Sequence, residues 1–458
     1  MIVLGAGPAG ENAAGRAAGH GLSAAIVERE LVGGECSYWG CIPSKTLLRP
    51  GDVIAAARRV PGAAGAVTGT IDVAAALARR DYMVSGYHDT GQLPWLEDNG
   101  IELVRGEGRL VGERTVEVTG ATGDVRRLTA AKAVVVATGT VPFMPPVPGL
   151  AEAGPWDNRT ATGATSVPRR LLVLGGGAVG VEMAQAFRRL GSEQVTLVEG
   201  SARLLAREEP FAGEEVARAF ESEGIRVLTG SHLQEVRRTG TTGPVTGVLE
   251  DGNEVTADEL LVAVGRRPHT SDLGLETVGL EPGGAIEVDN ELRAVGVDGG
   301  WLYAVGDVNG RALLTHMGKY QARIVGDVIA GKTAADRASV DIVPRVTFTD
   351  PQVCAVGLTE AQARERFPSV RTVRVGTGDV AGASTQGEGI EGTSFLVVDG
   401  KRDLIVGATF TGPQVAELLH SATVAIAGAV DMHTLWHAVP SFPTVSEVWL
   451  RLMEAYGL

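Results

Sequence analysis

Two short apolar runs in this chain end in closely spaced glycines. The first is IVLGAGPAG at residues 2–10, and the second is LVLGGGAVG at residues 172–180, at a constant offset of 170. β-Branched residues and leucine favour a buried strand, and G-x-G-x-x-G after a strand opens a helix. The chain therefore predicts the same strand–turn–helix unit twice. Only four residues precede Gly5, so we expect the first strand to be short or the true start to lie upstream.

The segments after the glycines repeat as well. Apolar positions at helical spacing are Ala13, Ala14 and Ala17 in the first unit, and Val179, Met183, Phe187 and Leu190 in the second. Gly21 and Gly191 are predicted to end these helices, because glycine is common just beyond a helix C-terminus. The strands AAIVE and VTLVE follow and end in Glu28 and Glu199, 18 and 19 residues past the last glycine of each motif.

This arrangement is typical of dinucleotide binding. The first glycine permits a tight turn, the second lets the backbone approach a pyrophosphate, and the third lets the helix pack on the strand. In order, these are Gly5, Gly7 and Gly10 in the first copy and Gly175, Gly177 and Gly180 in the second. The phosphates lie on a helix N-terminus, and the terminal acid accepts hydrogen bonds from ribose hydroxyls. One copy alone would also fit an ordinary glycine-rich turn, but two complete copies predict two dinucleotide sites.

The second acid bears on the choice of nicotinamide nucleotide. Glu199 would repel a ribose 2′-phosphate, and no arginine takes its place. Arg203, four residues on, could soften that repulsion. The sequence favours NADH over NADPH.

The remaining pattern predicts further modules. The proline-rich VPFMPPVPG at 141–149 is interpreted as a linker, and ELLVAVG at 259–265 as the last strand of the second unit. From Pro344 onward the strands VTFTD, FLVVD and LIVGATF and a helix over 414–429 indicate an α+β module. At roughly 100–200 residues per domain, 458 residues allow about three domains.

Composition narrows the partners. The 41 Lys and Arg residues against 55 Asp and Glu residues give a net charge of −14, so nucleic acids and anionic membranes are not expected partners. No segment has the roughly 18 uncharged apolar residues of a membrane helix, and the N-terminus lacks a signal-peptide pattern. We expect a soluble cytoplasmic protein whose partner is a small molecule.

Two of the three cysteines lie in GGECSYWGCIPSK at 33–45. Cys36 and Cys41 could close a short disulfide, which in a reducing cytosol persists only if it cycles. Pro43 suits the first turn of a helix beginning near Cys41, whose positive end would lower the pKa of that thiol. Half a zinc site and two buried structural thiols are the alternatives. Cys354 is interpreted as an apolar core residue.

GGECSYWGCIPSK, the two dinucleotide motifs, ATG at 137–139, VGRRP at 264–268 and YAVGDV at 303–308 together carry a family resemblance. The chain resembles the class I pyridine nucleotide–disulfide oxidoreductases, the family of dihydrolipoamide dehydrogenase, glutathione reductase and mercuric reductase. The resemblance implies an α/β fold with two Rossmann-like domains, for FAD and NAD, and a C-terminal α+β dimerisation domain. The implied boundaries are 1–148 and 269–343 for the FAD domain, 149–268 for the NAD(P) domain and 344–458 for the interface domain.

The resemblance also implies roles for single residues. Cys41 would be the flavin-proximal thiolate and Cys36 the exchanging thiol, and Lys45 would pair with Glu182 beside the flavin. A helix over 314–330 would face the flavin pyrimidine. The implied FAD contacts are Gly5, Gly7, Pro8, Ala9, Gly10, Glu28, Gly34, Thr138, Gly139, Asp307 and His316. The implied NAD contacts are Gly175, Gly177, Val179, Gly180, Glu199 and Gly265. The enzyme would be a homodimer with active sites completed across the interface.

The C-terminus departs from the family. Relatives that exchange thiols carry His-Pro-Thr-x-x-Glu, in which the histidine is the general base, whereas this chain has Phe442 at that position and keeps Glu447. Losing a general base costs on the order of 10²–10⁴ in rate, so dihydrolipoamide or glutathione turnover should be poor. His437 is either a substitute base or a polar interface residue. Mercuric reductase also lacks this histidine, but its C-terminal thiol pair is absent from RLMEAYGL.

These observations predict an FAD-containing NAD(P)H oxidoreductase with a redox-active Cys36–Cys41 disulfide. The final acceptor would be a disulfide, a metal ion or a small electrophile. A direct transfer from flavin to a quinone is the alternative, and it would survive a Cys41→Ser substitution. A non-catalytic flavoprotein subunit is the third reading.

Overall fold

The computed structural model describes every residue from Met1 to Leu458. The chain forms two compact units, each built from three segments. The first unit comprises residues 1–43, 81–143 and 266–340, and the second comprises residues 44–80, 144–265 and 341–458. The domain boundaries implied by the family resemblance stay a prediction.

Twenty-two strands occur along the chain. They are β1 (Ile2–Leu4), β2 (Ala24–Glu28), β3 (Ile101–Arg105), β4 (Glu107–Gly112), β5 (Thr115–Thr119), β6 (Val125–Thr129), β7 (Val134–Val136), β8 (Thr140–Pro142), β9 (Arg170–Leu174), β10 (Gln194–Glu199), β11 (Ile225–Thr229), β12 (Leu233–Arg238), β13 (Val245–Leu249), β14 (Glu254–Ala257), β15 (Glu259–Val262), β16 (Arg266–Pro268), β17 (Leu302–Ala304), β18 (Arg345–Thr347), β19 (Gln352–Gly357), β20 (Val370–Gly376), β21 (Thr393–Asp399) and β22 (Leu404–Gly412).

Fourteen α-helices accompany them. They are α1 (Pro8–Ala18), α2 (Gly34–Tyr38), α3 (Cys41–Arg59), α4 (Val73–Met83), α5 (Leu93–Asp98), α6 (Asn158–Thr162), α7 (Ala178–Leu190), α8 (Pro210–Ser222), α9 (Thr315–Ile329), α10 (Glu360–Arg366), α11 (Ala381–Ser384), α12 (Leu419–Ala427), α13 (Met432–Trp436) and α14 (Val448–Tyr456). None of them is long and apolar enough to cross a membrane.

The first unit is built on a parallel sheet in the order β17-β7-β1-β2-β3. Val3 pairs with Ile26 on one side and with Val135 on the other, so β1 is central and fully buried. The small face of α1 is buried as predicted, with Ala13, Ala14 and Ala17 in the core. The predicted end of this helix at Gly21 is confirmed: Gly21 has φ of +79°, its N–H donates to the Ala18 carbonyl at 2.8 Å, and the Leu22 N–H donates to the Ala17 carbonyl at 3.1 Å.

The second unit contains a matching parallel sheet in the order β11-β10-β9-β15. Met183, Phe187 and Leu190 of α7 are buried, and Gly191 caps this helix as predicted. Val179 does not belong to that apolar face: it is 39% exposed, because it stands in the first turn of α7, beyond the edge of the core.

The C-terminal part of the second unit is an antiparallel sheet in the order β18-β19-β22-β21-β20, packed with α12 and α14. The predicted strands are present as β18, β21 and β22, and the predicted helix over 414–429 is a 3₁₀ turn followed by α12. The pattern missed β19 and β20.

The proline-rich linker also begins differently from the prediction, since its first residues form β8, which pairs with β16 in a two-stranded sheet.

Candidate active site

Each glycine motif forms a cradle, by which we mean the turn between a strand and the following helix together with its three glycines. The first cradle lies between β1 and α1 and contains Gly5, Gly7 and Gly10. A Cβ on Gly5 would be 2.6 Å from the Ala137 carbonyl oxygen, and one on Gly10 would be 1.9 Å from the Gly5 oxygen, so both positions exclude any side chain. At Gly7 a Cβ would meet its nearest atom, the Gly34 Cα, only at 4.0 Å. The middle glycine therefore leaves space above the helix N-terminus, which is where a pyrophosphate would need it.

The acid of the first cradle is held by backbone donors. Glu28 Oε2 accepts a hydrogen bond from the Ala6 N–H at 2.7 Å, and its Oε1 accepts one from the Glu30 N–H at 2.7 Å. Glu28 is 9% exposed. Its carboxylate is therefore fixed at the C-terminal end of β2, beside the glycine motif.

Asp307 lies close to the same cradle. A Cβ on the preceding Gly306 would be 3.2 Å from Ala9 Cβ, which places this turn against the start of α1. Burial raises the pKa of Asp307, although a hydrogen bond from Thr140 Oγ1 at 3.0 Å opposes that shift. Arg266 donates in turn to Thr140 Oγ1 at 2.7 Å and pairs with Glu35 at 3.2 Å. The sequence did not indicate this Glu35–Arg266 pair.

The loop that follows β7 also lies beside the first cradle. Thr138 Oγ1 donates to the His269 carbonyl at 2.9 Å, and the His269 N–H donates to the Gly139 carbonyl at 3.0 Å. Gly139 has φ of +68°, a conformation that glycine adopts without strain. These bonds hold the predicted Thr138 and Gly139 next to Gly5, whose nearest neighbour is Ala137.

The second cradle repeats the first. A Cβ on Gly175 would be 2.5 Å from the Ala263 oxygen and one on Gly180 would be 1.9 Å from the Gly175 oxygen, whereas a Cβ on Gly177 would meet nothing within 4 Å. Glu199 Oε2 accepts the Gly176 N–H at 2.5 Å, as Glu28 accepts that of Ala6. Both cradles thus have the shape that a dinucleotide requires. Gly265 and Val179 lie exposed at the rim of the second.

Cys36 and Cys41 come together with a third residue. They belong to α2 and to the first position of α3, and both are thiols of intermediate exposure. Thr315, the first residue of α9, places its Oγ1 3.4 Å from Cys41 Sγ and also hydrogen-bonds with Cys36. The sequence prediction missed Thr315, although the predicted helix start and the adjacent His316 were the available signal. His316 itself is exposed.

The two sulfurs differ in how readily they lose a proton. A hydrogen bond with Cys41, and then burial, raise the pKa of the Cys36 thiol well above its ordinary value. The reduced pair therefore keeps a proton on Cys36. Cys354 is inert by comparison, because it is fully buried in β19, donates to the Val415 carbonyl at 3.2 Å and has a pKa raised by burial.

The predicted Lys45–Glu182 pair forms inside the second unit. Lys45 Nζ lies 2.6 Å from Glu182 Oε2, one turn beyond Cys41 along α3. Glu182 Oε1 accepts the Phe348 N–H at 2.9 Å, and the Lys45 ammonium lies 4.9 Å from the centroid of the Phe348 ring. Phe348, which the sequence did not indicate, thus contacts both members of the pair.

The C-terminal segment presents Phe442 to solvent, with 76% of its surface exposed. Glu447 lies buried nearby in sequence, and its Oε2 accepts the Gly382 N–H at 3.0 Å. A Cβ on Gly382 would fall 1.9 Å from the Thr444 carbonyl carbon, so α11 and this segment are in direct backbone contact. In this position Glu447 fixes the segment that carries Phe442.

Comparisons with known proteins agree with this geometry. Residues 1–322 match the family model of the pyridine nucleotide-disulphide oxidoreductases, and residues 343–453 match the model of their dimerisation domain. A mercuric reductase of Staphylococcus aureus is 32% identical over 451 residues, which cover 98% of this chain and 80% of that protein. A dihydrolipoyl dehydrogenase of Chlorobaculum tepidum is 36% identical over 455 residues, which cover 98% of this chain and 94% of that protein.

Solved structures give the same result. LpdA from Mycobacterium tuberculosis superimposes with a TM-score of 0.87 at 25% identity, over 100% of this chain and 99% of that one. The HOCl-induced flavoprotein disulfide reductase RclA from Escherichia coli superimposes with a TM-score of 0.86 at 25% identity, over 99% of both chains. The fold class and the family resemblance read from the motifs are confirmed, as is the presence of a C-terminal dimerisation domain. The chain belongs to the pyridine nucleotide–disulfide oxidoreductases and is an FAD-dependent enzyme that passes electrons from NAD(P)H to a disulfide.

Proposed function

We propose that this enzyme uses NADH to reduce a thiophilic metal ion through Cys36 and Cys41, and that it reduces disulfide substrates poorly. The proposal is based on Phe442, which lies at the position of the family's general base. Its exposed side chain cannot accept or donate a proton. In the family's His-Pro-Thr-x-x-Glu sequence the glutamate would pair with that base. In this chain the corresponding Glu447 accepts a hydrogen bond from the Gly382 N–H.

The proton balance separates the two kinds of acceptor. Oxidation of one thiol and one thiolate to a disulfide releases two electrons and one proton. A disulfide acceptor that takes these electrons must also receive two protons on its leaving sulfurs, which is the work of a general acid–base residue. A metal ion takes the electrons and no proton. The missing imidazole therefore penalises disulfides and leaves metal ions unaffected.

The cysteines suit such an ion. Thiolates are soft ligands that bind soft metal ions in preference to hard ones. No third histidine, cysteine or carboxylate joins the pair to form a closed metal site. An ion bound by the two sulfurs alone would be a passing substrate. The mercuric reductase from S. aureus, 32% identical to this chain, carries such an activity in its name.

We propose that FAD occupies the first cradle, held by Gly5, Gly7, Pro8, Ala9, Gly10, Glu28, Gly34, Thr138, Gly139, Asp307 and His316. When bound, it supplies the chemistry that turns the hydride of the nicotinamide into an electron pair for the disulfide. Cys41 would be the sulfur that faces it, because it carries the charge of the reduced pair, and Cys36 would be the thiol that meets the acceptor.

The nicotinamide nucleotide is proposed to be NADH, bound by Gly175, Gly177, Val179, Gly180, Glu199 and Gly265. Burial opposes ionisation of Glu199, but hydrogen bonds from Ser201 and Gly176 outweigh it and lower its pKa, so the carboxylate is charged at neutral pH. Arg203 does not neutralise it, since its guanidinium donates to the Ala206 and Glu208 carbonyls at 2.8 and 3.2 Å. A 2′-phosphate would therefore meet the negative charge of Glu199.

The dimerisation domain supports a homodimer in which the Phe442 segment completes the partner's active site. The direct transfer from flavin to a quinone is not favoured, because the matched relatives are a mercuric reductase, a dihydrolipoyl dehydrogenase and a flavoprotein disulfide reductase. A Cys41→Ser variant tests this point, since direct transfer would survive it.

The central experiment compares acceptors. FAD-loaded wild-type enzyme is given NADH and either Hg²⁺ buffered by excess thiol, lipoamide or oxidised glutathione, and kcat/KM is measured for each. We expect Hg²⁺-dependent NADH oxidation, and rates with both disulfides at least a hundredfold lower. Rapid turnover of either disulfide by the wild-type enzyme would overturn the proposal.

A Phe442→His variant sharpens the result. Restoring the base should raise lipoamide turnover by about 10²-fold, within the range that general acid–base catalysis contributes, without a similar gain for Hg²⁺. Phe442→Leu is the matched control, since it changes the shape of the side chain without adding a base, and it should gain nothing. Equal gains in both variants would show that size, and not proton transfer, limits the wild-type enzyme.

A further inference from the structure

The hydroxyl of Thr315 is shared between the two reactive sulfurs. Its Oγ1 lies 3.4 Å from Cys41 Sγ and also hydrogen-bonds with Cys36, although 274 residues separate it from Cys41 in the chain. Sulfur hydrogen bonds are longer than those of oxygen, so this distance is a normal contact. One hydroxyl therefore reaches both ends of the bond that is made and broken.

The helix does not use this hydroxyl for its own stability. α9 begins after Leu314, an extended N-cap residue, and no side chain caps its first turn. The Gly318 and Met317 N–H groups bond to the Leu314 carbonyl instead. The side chain of Thr315 is thus directed at the sulfurs, at the positive end of a 15-residue helix that favours negative charge.

We propose that Thr315 is a catalytic residue that donates a hydrogen bond from its hydroxyl to the sulfur that carries the negative charge when the Cys36–Cys41 disulfide opens. This inference rests on the cycling of that disulfide in the proposed function. It explains how the reduced pair is stabilised in a chain that has no general base at position 442.

The step balances without a further reagent. The hydride from NADH brings two electrons and one proton to the disulfide, and the Sγ–Sγ bond breaks. One sulfur leaves as a thiol and the other as a thiolate. Cys36 retains the proton because its hydrogen bond with Cys41 and its burial raise its pKa, and Thr315 then donates to the charged Cys41. When the acceptor takes the electron pair, the bond re-forms and the proton leaves from Cys36.

Hydrogen bonds to charged groups are among the stronger ones in proteins, so loss of this donor should destabilise the reduced pair about tenfold relative to the disulfide. For a two-electron couple, a tenfold change corresponds to about 30 mV. Removing the hydroxyl should therefore make the disulfide harder to reduce. A residue that merely fills space would leave this equilibrium unchanged.

The test measures the thiol–disulfide equilibrium directly. FAD-loaded wild-type, Thr315→Val and Thr315→Ser proteins are equilibrated without oxygen in mixtures of reduced and oxidised dithiothreitol, quenched in acid and alkylated. The Cys36–Cys41 disulfide is then quantified by mass spectrometry, with buried Cys354 as the internal reference. We expect Thr315→Val to shift the equilibrium about tenfold towards the disulfide and Thr315→Ser to stay within about twofold of wild type.

Thr315→Ala guards against a packing artefact, since it removes the same hydroxyl without a branched methyl group. It must reproduce the shift of Thr315→Val, and a difference between the two would overturn the inference. A Thr315→Val protein with the same thiol–disulfide equilibrium as the wild type would overturn the inference as well. If the wild-type protein forms no Cys36–Cys41 disulfide at any ratio, the proposed function fails instead, so the two failures are distinguishable.

Discussion

Each of the two cradles has its own strand, helix and acid, but the first is covered by backbone and the second is open. A Cβ on Gly7 would lie 4.0 Å from the Gly34 Cα, whereas a Cβ on Gly177 would meet nothing within 4 Å. The acid of the first cradle is buried, and that of the second is only partly so. A covered cradle suits a dinucleotide that stays, and an open one suits a dinucleotide that must leave after each turnover.

The difference originates in the segment that follows each acid. After Glu28 the chain turns through Gly33 and Gly34, both with positive φ, and runs back across Gly7 into α2. After Glu199 a loop leads instead to α8, and it leaves residues 177–179 exposed. The same motif thus serves a resident cofactor or an exchanging substrate, depending on what the next segment covers. The segment that covers the first cradle is also the one that carries Cys36.

Gly34→Ala should severely disrupt the covered cradle. Gly34 has φ of +60°, and a Cβ there would lie 2.6 Å from Gly7 Cα, so the covering segment must move. We expect FAD retention to fall more than a hundredfold, measured as flavin content after dialysis of the purified protein. Backbone strain and a backbone clash act together at this position.

Gly177→Ala is the matched control in the open cradle. Its Cβ would meet no atom and Gly177 has φ of −77°, so the fold accepts it. Flavin content should stay at the wild-type level while the KM for NADH rises, because the methyl group occupies the space left for phosphates. A loss of flavin in both variants would mean that the two cradles are not distinct in the way described.

The sequence predicted both cradles because their determinants are local. Strand, glycine spacing, helix face and terminal acid lie within about 30 residues, and each has a residue preference of its own. β20 was missed for a related reason. It is the edge strand of its sheet, and its exposed residues Arg371, Thr372 and Arg374 interrupt the valines, so it lacks an apolar run.

The covering segment and the Thr315 contact could not be predicted in the same way. Gly33 and Gly34 were visible as glycines, but their approach to Gly7 depends on where β2 ends in three dimensions. Thr315 reaches Cys41 from 274 residues away, and a threonine at a helix start is otherwise common. Contacts of this kind follow from the assembled sheet, and no single window of sequence contains them.

Glu199→Gln should change the nucleotide preference of the open cradle, because it removes a negative charge there. The amide keeps an acceptor for the Gly176 N–H but no longer repels a 2′-phosphate. We expect the ratio of kcat/KM for NADPH to that for NADH to rise about tenfold at pH 7.5 and low salt, where electrostatic effects are least screened. Glu28→Gln is the matched variant in the covered cradle and should leave this ratio unchanged in the protein that retains flavin. A wild-type ratio in Glu199→Gln would remove the electrostatic basis for NADH preference.

The far end of α1, the helix that begins at the covered cradle, is joined to α9 by an ion pair. Asp327 accepts two hydrogen bonds from Arg16, at 2.8 and 2.9 Å, and contacts His20 at 2.5 Å. The hydrogen bond from Arg16, against the opposing effect of burial, lowers the pKa of Asp327 from 3.8 to about 2. Because the folded pKa lies below the unfolded one, the stabilisation is complete above about pH 5 and is lost progressively as the pH falls from there through about 2.

Asp327→Asn should therefore lower the free energy of unfolding by about 1 kcal/mol at pH 7, as expected for a bidentate pair whose arginine is partly exposed. Urea unfolding of the two proteins at pH 7, 5 and 3 measures the difference, which should be equal at pH 7 and 5 and smaller at pH 3. A difference that stays constant down to pH 3 would mean that Asp327 acts through packing and not through its charge. In that case the small apolar face of α1 alone would hold this helix to α9. The contact of Asp327 with Arg16 and His20 would then make no electrostatic contribution to the free energy of unfolding.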